Sequence, residues 1–85
     1  MSYFRLIKTK KTPDVLLYMD YNEDYQPIVI IKVFGDDYFN EWLIIEEETI
    51  IFEVIDTALQ FIEDYSEKSA IKFCEDRINL DFKNA

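Results

Sequence analysis

The chain has 85 residues, the length of one small domain with a core of limited size. Hydrophobic residues make up 49% of it, which excludes an intrinsically disordered chain even though 32% of the residues are charged. The net charge of −9 disfavours direct binding to nucleic acid, and the single cysteine, Cys74, excludes an internal disulfide.

Four strands are predicted in the first half of the chain. Residues 3–8 alternate well enough for a strand, and residues 15–21 place Val15, Leu17, Met19 and Tyr21 on one face of a second strand. The TPD turn between them predicts a hairpin. Residues 28–34, IVIIKVF, are β-branched and almost all apolar, so they predict the central strand. A turn is predicted at residues 35–37, GDD, followed by a fourth strand over residues 38–45.

One main helix is predicted over residues 49–65, with Thr49 as its N-cap. Apolar residues recur at helical spacing on one side of this segment, and acidic residues occupy the other side over about 21 Å. The apolar stripe contains Ile51, Ile55, Ala58, Ile62 and Tyr65, and the acidic stripe contains Glu53, Asp56, Gln60, Glu63 and Glu67.

The C-terminal segment fits two structures. Residues 69–74 fit a short helix capped by Ser69, whereas residues 71–82 fit a hairpin in which Ile71 faces Leu80. We favour the hairpin, because INLDF alternates strictly.

The predicted fold over residues 1–85 is a single α+β domain: a β-hairpin and two further strands form an antiparallel sheet packed against one main helix, with a C-terminal hairpin or short helix. The chain shows neither a signal peptide nor an apolar run of membrane-spanning length, and its cysteine is unpaired. Its twelve isoleucines, against three alanines, are typical of an AT-rich genome. We therefore expect a cytoplasmic protein in a bacterial host cell, without membrane contact.

We expect no enzymatic activity. The chain has no histidine, and its single glycine, Gly35, is insufficient for a phosphate-binding loop. A chain of this length rarely forms a deep substrate pocket. Cys74 fits either a reactive thiol or a small residue of the core, and the core is the more typical role.

The segment DYNEDYQP has the spacing of a calcium loop in part. Asp20, Asn22 and Asp24 match positions 1, 3 and 5 of an EF-hand loop. However, Tyr25 stands where the sharp turn needs Gly, and Ile31 stands where the site needs a bidentate Glu. The sequence therefore predicts no metal site, and nothing in it indicates a cofactor.

Charge is unevenly distributed along the chain. Residues 1–13 carry four basic residues and no acid, whereas residues 14–67 carry fifteen acids and one base, Lys32, a net of −14. Such unneutralised charge destabilises the compact state, and a basic partner would relieve the repulsion. An acidic surface that serves only solubility is the alternative.

Tyrosine accompanies this acidic charge, since four of the six tyrosines follow an aspartate. Tyrosine provides stiff amphipathic contact area in interfaces, and neighbouring acids would attract Lys and Arg of a partner. We predict a partner-binding surface in three regions: Asp20, Tyr21, Glu23, Asp24 and Tyr25; Asp36, Asp37, Tyr38 and Glu41; and Glu53, Asp56 and Glu63 on the helix.

The proteins with the largest basic surfaces are those that bind nucleic acid. In size, acidity and α+β composition, the chain resembles small phage-encoded inhibitors that mimic DNA, among them anti-CRISPR and anti-restriction proteins. It is similar, more loosely, to immunity proteins that neutralise nuclease toxins. No shared motif carries this resemblance, so it assigns no role to any residue.

The resemblance implies a protein-binding inhibitor that occludes the nucleic-acid groove of a basic partner. The alternative is a small structural or assembly module, for instance a homodimer formed through exposed aromatic strands such as residues 28–34.

Overall fold

A computed structural model describes residues 3–10, 12–36 and 42–77. The strands are β1 (Phe4–Ile7), β2 (Asp14–Tyr21), β3 (Pro27–Asp36) and β4 (Trp42–Ile51), and they are followed by the helices α1 (Ile55–Asp64) and α2 (Glu67–Arg77). The strands form an antiparallel sheet in the order β1-β2-β3-β4. The predicted α+β class, with an antiparallel sheet packed against helices, is confirmed.

The predicted central strand, residues 28–34, is central. β3 pairs with β2 along one side and with β4 along the other, so this segment offers no free edge for pairing with another chain. The predicted turn at Gly35-Asp36 is wrong, because both residues still pair with β4 beyond an irregularity between Val33 and Phe34. A bulge of this kind lets a ladder continue past a local mismatch.

The predicted start of the main helix is also wrong. Thr49 lies in β4 opposite Ile30, and α1 begins six residues later, at Ile55. The β-branched residues at 49–51 favour a strand, and β3 provides the partner that stabilises one. As a result Ile51 and Ile55 are 58% and 38% exposed instead of buried.

The C-terminal segment forms a helix over Glu67–Arg77, so the favoured hairpin is wrong for residues 71–77. Residues 78–82 lie outside the described part of the chain. Ser66, rather than Ser69, provides the cap, and its Oγ accepts the Ser69 backbone N–H at 3.0 Å. Ala70 and Cys74, four residues apart, are both fully buried on one side of α2. That spacing suits a helix over residues 67–77.

The core lies between one face of the sheet and the two helices. We call this side of the sheet the helix face. Its side chains alternate along β2 and β3, and those of α1 and α2 pack onto them. The buried cluster contains Ile7, Val15, Leu17, Met19, Val29, Ile31, Val33, Ala58, Ile62, Tyr65, Ala70 and Cys74.

Cys74 belongs to this core. Its side chain is fully buried, and burial raises the pKa of its thiol. A protonated, inaccessible thiol is a poor nucleophile, so the structure favours the packing role over the reactive one.

Neither helix of the described residues is long and apolar enough to cross a membrane.

Arg5 joins the sheet to the end of α1. Its side chain leaves β1, and Nη1 donates to the carbonyl oxygens of Ile62 and Glu63 at 2.8 Å and of Tyr65 at 2.7 Å. The last carbonyls of a helix have no partner within the helix, and the helix dipole makes this end negative. Because the last turn of α1 contains no basic residue of its own, Arg5 supplies the compensating cation.

Replacement of Arg5 should therefore destabilise the fold. We expect Arg5→Met to lower the free energy of unfolding by about 2 kcal/mol, because it removes both the cation and its hydrogen bonds. Arg5→Lys should lose roughly half as much, since one ammonium cannot reproduce the guanidinium geometry. Urea denaturation measures both values. Lys8→Met, at an exposed position of the same segment, is the control, and equal losses for Lys8→Met and Arg5→Met would contradict the role of Arg5.

The corrected boundary of α1 changes which isoleucine the core depends on. Ile62 is fully buried, so we expect Ile62→Asp to cost more than about 3 kcal/mol or to unfold the protein. Ile55→Asp should cost less than about 1 kcal/mol, because Ile55 is partly exposed in the first turn, where an acid is favourable. Thermal unfolding followed by circular dichroism compares the two, and an Ile55→Asp variant that unfolds first would refute this placement.

Candidate functional site

One end of the sheet gathers two of the three predicted acidic regions. The Phe52 N–H donates to the Pro27 carbonyl at 2.8 Å, which places the β4–α1 connection beside the β2–β3 loop. The Met19 N–H donates to the Tyr3 carbonyl at 2.9 Å, so the start of β1 reaches the same end. We define the acidic end as Tyr3, residues 20–26 and residues 51–57.

The acidic end carries five carboxylates, and these ranges contain neither lysine nor arginine. All five side chains are exposed to solvent, so their charges are available to a partner. The five are Asp20, Glu23, Asp24, Glu53 and Asp56. The structure thus unites two groups of residues that lie about thirty positions apart in the sequence.

Asn22 holds the β2–β3 loop in shape. Its Oδ1 accepts the backbone N–H groups of Asp24 and Gln26, each at 2.9 Å, and its Nδ2 donates to Gln26 Oε1 at 3.0 Å. Side-chain bonds of this type specify tight turns. The Asn22 oxygen that a calcium loop would need is therefore occupied by backbone donors. Within the described residues, no group of three His, Cys, Asp or Glu side chains is placed to hold a metal ion.

Tyr25 occupies an unfavourable backbone conformation at the tip of this loop. Its φ of 62° lies in the left-handed region, which costs a non-glycine residue roughly 1–2 kcal/mol. Its side chain is 86% exposed, so packing within the chain does not offset this cost. The loop backbone, fixed by the bonds of Asn22, thus presents an exposed aromatic side chain, which is available as a binding anchor.

The helical part of the predicted surface is shorter than the sequence suggested. Glu53 precedes α1 and Glu67 belongs to α2, so the continuous 21 Å acidic stripe is wrong. Asp56 and Glu63 remain on one exposed side of α1, about 10.5 Å apart along its axis. They extend the acidic end along the helix.

The predicted region at residues 36–41 does not join the other two. Asp36 is the last residue of β3, nine residues beyond Pro27, and at the rise of a β-strand this places it roughly 30 Å from Pro27, at the opposite end of the sheet. Asp37, Tyr38 and Glu41 lie outside the described residues.

Tyr65 follows an aspartate like Tyr21 and Tyr25, but it lies in the core and not on the surface. It is 9% exposed within the core, its hydroxyl donates to the Ser69 carbonyl at 3.4 Å, and burial raises its pKa to about 12. The dipeptide therefore has different roles at different positions. Only Tyr21 and Tyr25, among the paired tyrosines that the structure describes, are exposed.

Sequence reasoning missed one acidic segment. Glu46, Glu47 and Glu48 are consecutive on β4, an edge strand of the sheet, and the run EEE within an apolar strand was the available signal. Charged side chains on an edge strand oppose pairing with other chains. Glu48 also forms an ion pair with Arg77 of α2.

The basic N-terminal block lies away from the acidic end. Lys8 and Lys10 follow β1 and line a hollow of about 590 Å³ together with Glu67 and Ile71 of α2. They lie beside the carboxylate of Glu67, at a distance from the acidic end, whose ranges contain no basic residue.

Comparison of the chain with protein-family models, with curated proteins and with solved structures gives no match.

The backbone strain at Tyr25 is testable by itself. We expect Tyr25→Gly to raise the free energy of unfolding by about 1 kcal/mol, because glycine adopts a positive φ without steric cost. For a chain of this size the midpoint of thermal unfolding should rise by roughly 4–8 °C. Tyr25→Ala removes the same ring but keeps the Cβ, so it should give no such increase. Equal stabilisation by both variants would show that the ring, and not the backbone, is the source.

Proposed function

We propose that this protein is a non-enzymatic inhibitor that docks its acidic end into the basic nucleic-acid-binding groove of another protein. One observation carries the proposal, namely the convergence of five exposed carboxylates and Tyr25 in ranges without a basic residue. The carboxylates of the acidic end repel each other in the free protein, because they all carry negative charge. Burial against Lys and Arg of a partner relieves that repulsion and accelerates association.

The geometry supports mimicry of nucleic acid in particular. Asp56 and Glu63 extend the acidic surface by about 10.5 Å, a length along which duplex DNA presents about six phosphate charges. The loop bonds of Asn22 fix the positions of Glu23 and Asp24 before binding, which reduces the ordering cost of association. Tyr25 supplies apolar contact area at the centre of this charge.

This function belongs to the class of anti-CRISPR and anti-restriction inhibitors, or of nuclease immunity proteins, which act in the bacterial cytoplasm. The same negative charge disfavours direct binding of the protein to nucleic acid. Inhibition then requires occlusion of a groove and no chemical step.

Charge reversal at the acidic end tests the proposal. The partner is captured from host lysate on the immobilised protein at low salt, and its affinity for each variant is then measured. We expect Asp24→Lys and Glu53→Lys each to weaken binding about tenfold, a loss of about 1.4 kcal/mol. Asp24→Lys should leave thermal stability unchanged, and Glu53→Lys, beside the positive end of α1, should lower the free energy of unfolding by less than about 1 kcal/mol. The control is Asp76→Lys, which makes the same change of charge at an exposed position of α2.

Binding to the captured partner should also weaken as salt increases, and DNA or guide RNA should compete with it. A partner whose binding is indifferent to salt and to nucleic acid would overturn the mimicry. Equal effects of Asp76→Lys and Asp24→Lys would instead move the interface away from the acidic end.

A further inference from the structure

The sheet has a second apolar face that the helices do not cover. The side chains of the helix face pack against α1 and α2, and the alternate residues point to the other side, which we call the open face. Phe4, Leu6 and Ile51 on this face are 65%, 44% and 58% exposed. Its apolar members are Phe4, Leu6, Leu16, Ile28, Ile30, Phe34 and Ile51, and the same register also places Tyr18, Lys32, Glu47 and Thr49 on this face.

Such a surface is unusual for an antiparallel sheet in water. A sheet with helices on one side normally carries polar residues on the other. Here Phe4, Leu6, Leu16 and Phe34 line a shallow hollow of about 240 Å³. A contiguous apolar surface of this kind marks an interaction site.

We propose that the open face binds the open face of a second copy of the chain, with the two sheets stacked about a two-fold axis parallel to the strands. That axis places β1 of each copy over β4 of the other, and β2 over β3. The strongly exposed apolar residues lie on those two edge strands, Phe4 and Leu6 on β1 and Ile51 on β4. At the levels set by the strand register, Phe4 of one copy lies over Thr49 of the other and next to Ile51, and Leu6 lies over Glu47.

The charges of the open face fit the same arrangement. Lys32 of β3 is the basic residue that the structure describes on this face. It lies 5.2 Å from the centre of the Tyr18 ring, and Glu47 of β4 is its neighbour on the same face in the strand register. The alternation of β2 places Asp14 and Asp20 on the open face as well. Because β3 of each copy lies over β2 of the other, Lys32 faces the strand that carries these two carboxylates.

The area of the open face is sufficient for a dimer that dissociates on dilution. Four strands spaced about 4.8 Å apart are about 19 Å wide, and the eight residues of β2 are about 27 Å long. Each copy thus contributes about 500 Å², and the pair about 1,000 Å², which is the lower limit for a specific interface.

Analytical ultracentrifugation of the full chain over a concentration series tests the dimer directly. We expect the wild type to form a dimer and Phe4→Asp to raise its dissociation constant at least about tenfold, because the charge is placed in the stacked interface. The matched control is Val54→Asp, which changes another exposed apolar residue, 52% exposed, at the start of α1. This control should dimerise like the wild type. Far-UV circular dichroism confirms that both variants are folded.

A second pair of variants tests the charge arrangement. Lys32→Glu should also weaken the dimer at least about tenfold, whereas Lys72→Glu, on the exposed side of α2, should not. A wild type that stays monomeric up to millimolar concentration would overturn the proposal and leave the open face to a different protein. Dimers of Phe4→Asp and Lys32→Glu as tight as the wild type would overturn this choice of surface.

Salt separates this interface from the proposed inhibitor function. Each copy carries a net charge of −9, so added salt screens the repulsion between copies and should not weaken the dimer. Binding of a basic partner at the acidic end should weaken under the same conditions. The dimer can therefore fail while the inhibitor proposal stands, and the reverse also holds.

Discussion

The whole structure depends on one apolar layer between the sheet and the helices. The chain has no disulfide, and its largest fully buried side chains, on β2, β3, α1 and α2, all lie in this layer. Packing in this layer fixes the position of α1 on the sheet. The last carbonyl groups of α1 consequently lie within hydrogen-bonding distance of the Arg5 side chain of β1. Arg5 compensates those carbonyls from the sheet. Core packing and this single cation thus position the two helices together.

Charge is excluded from that layer and accumulates elsewhere. The described residues include no buried charged side chain, so all of the acids that they contain lie on the surface. The meander brings the β2–β3 loop and the start of α1 to the same end of the sheet, where the carboxylates converge. Both helices of the described residues lie on one side of the sheet, so neither of them covers the open face. An electrostatic surface and an apolar surface consequently coexist at different places on the same small chain.

The two proposed interfaces are compatible with each other. A two-fold axis parallel to the strands preserves the strand direction, so both acidic ends lie on the same side of the proposed dimer. A groove would then meet two neighbouring acidic ends. This proximity also increases the repulsion between the copies, which is consistent with an interface near the lower limit of area.

Sequence patterns located the elements more reliably than their boundaries. Alternation identified β2, and the β-branched run identified β3 as the central strand, because both patterns reflect burial on a pleated surface. The prediction of a helix over residues 49–51 was wrong because the apolar residues of this segment fit a strand and a helix equally well. The pairing of Thr49 with Ile30 decides between them, and that contact is not visible in a local window.

The acidic site shows the same division. Composition and the charge of residues 14–67 determined that the protein would have a strongly acidic surface bearing tyrosines, since charged groups cannot be buried without a partner. Only the tertiary structure decided which acids lie together. It joined residues 20–24 to residues 53 and 56, separated Asp36 from them by the length of β3, and placed Tyr65 in the core. Distances between segments depend on strand order and register, which arise from packing of the whole chain rather than from any local pattern.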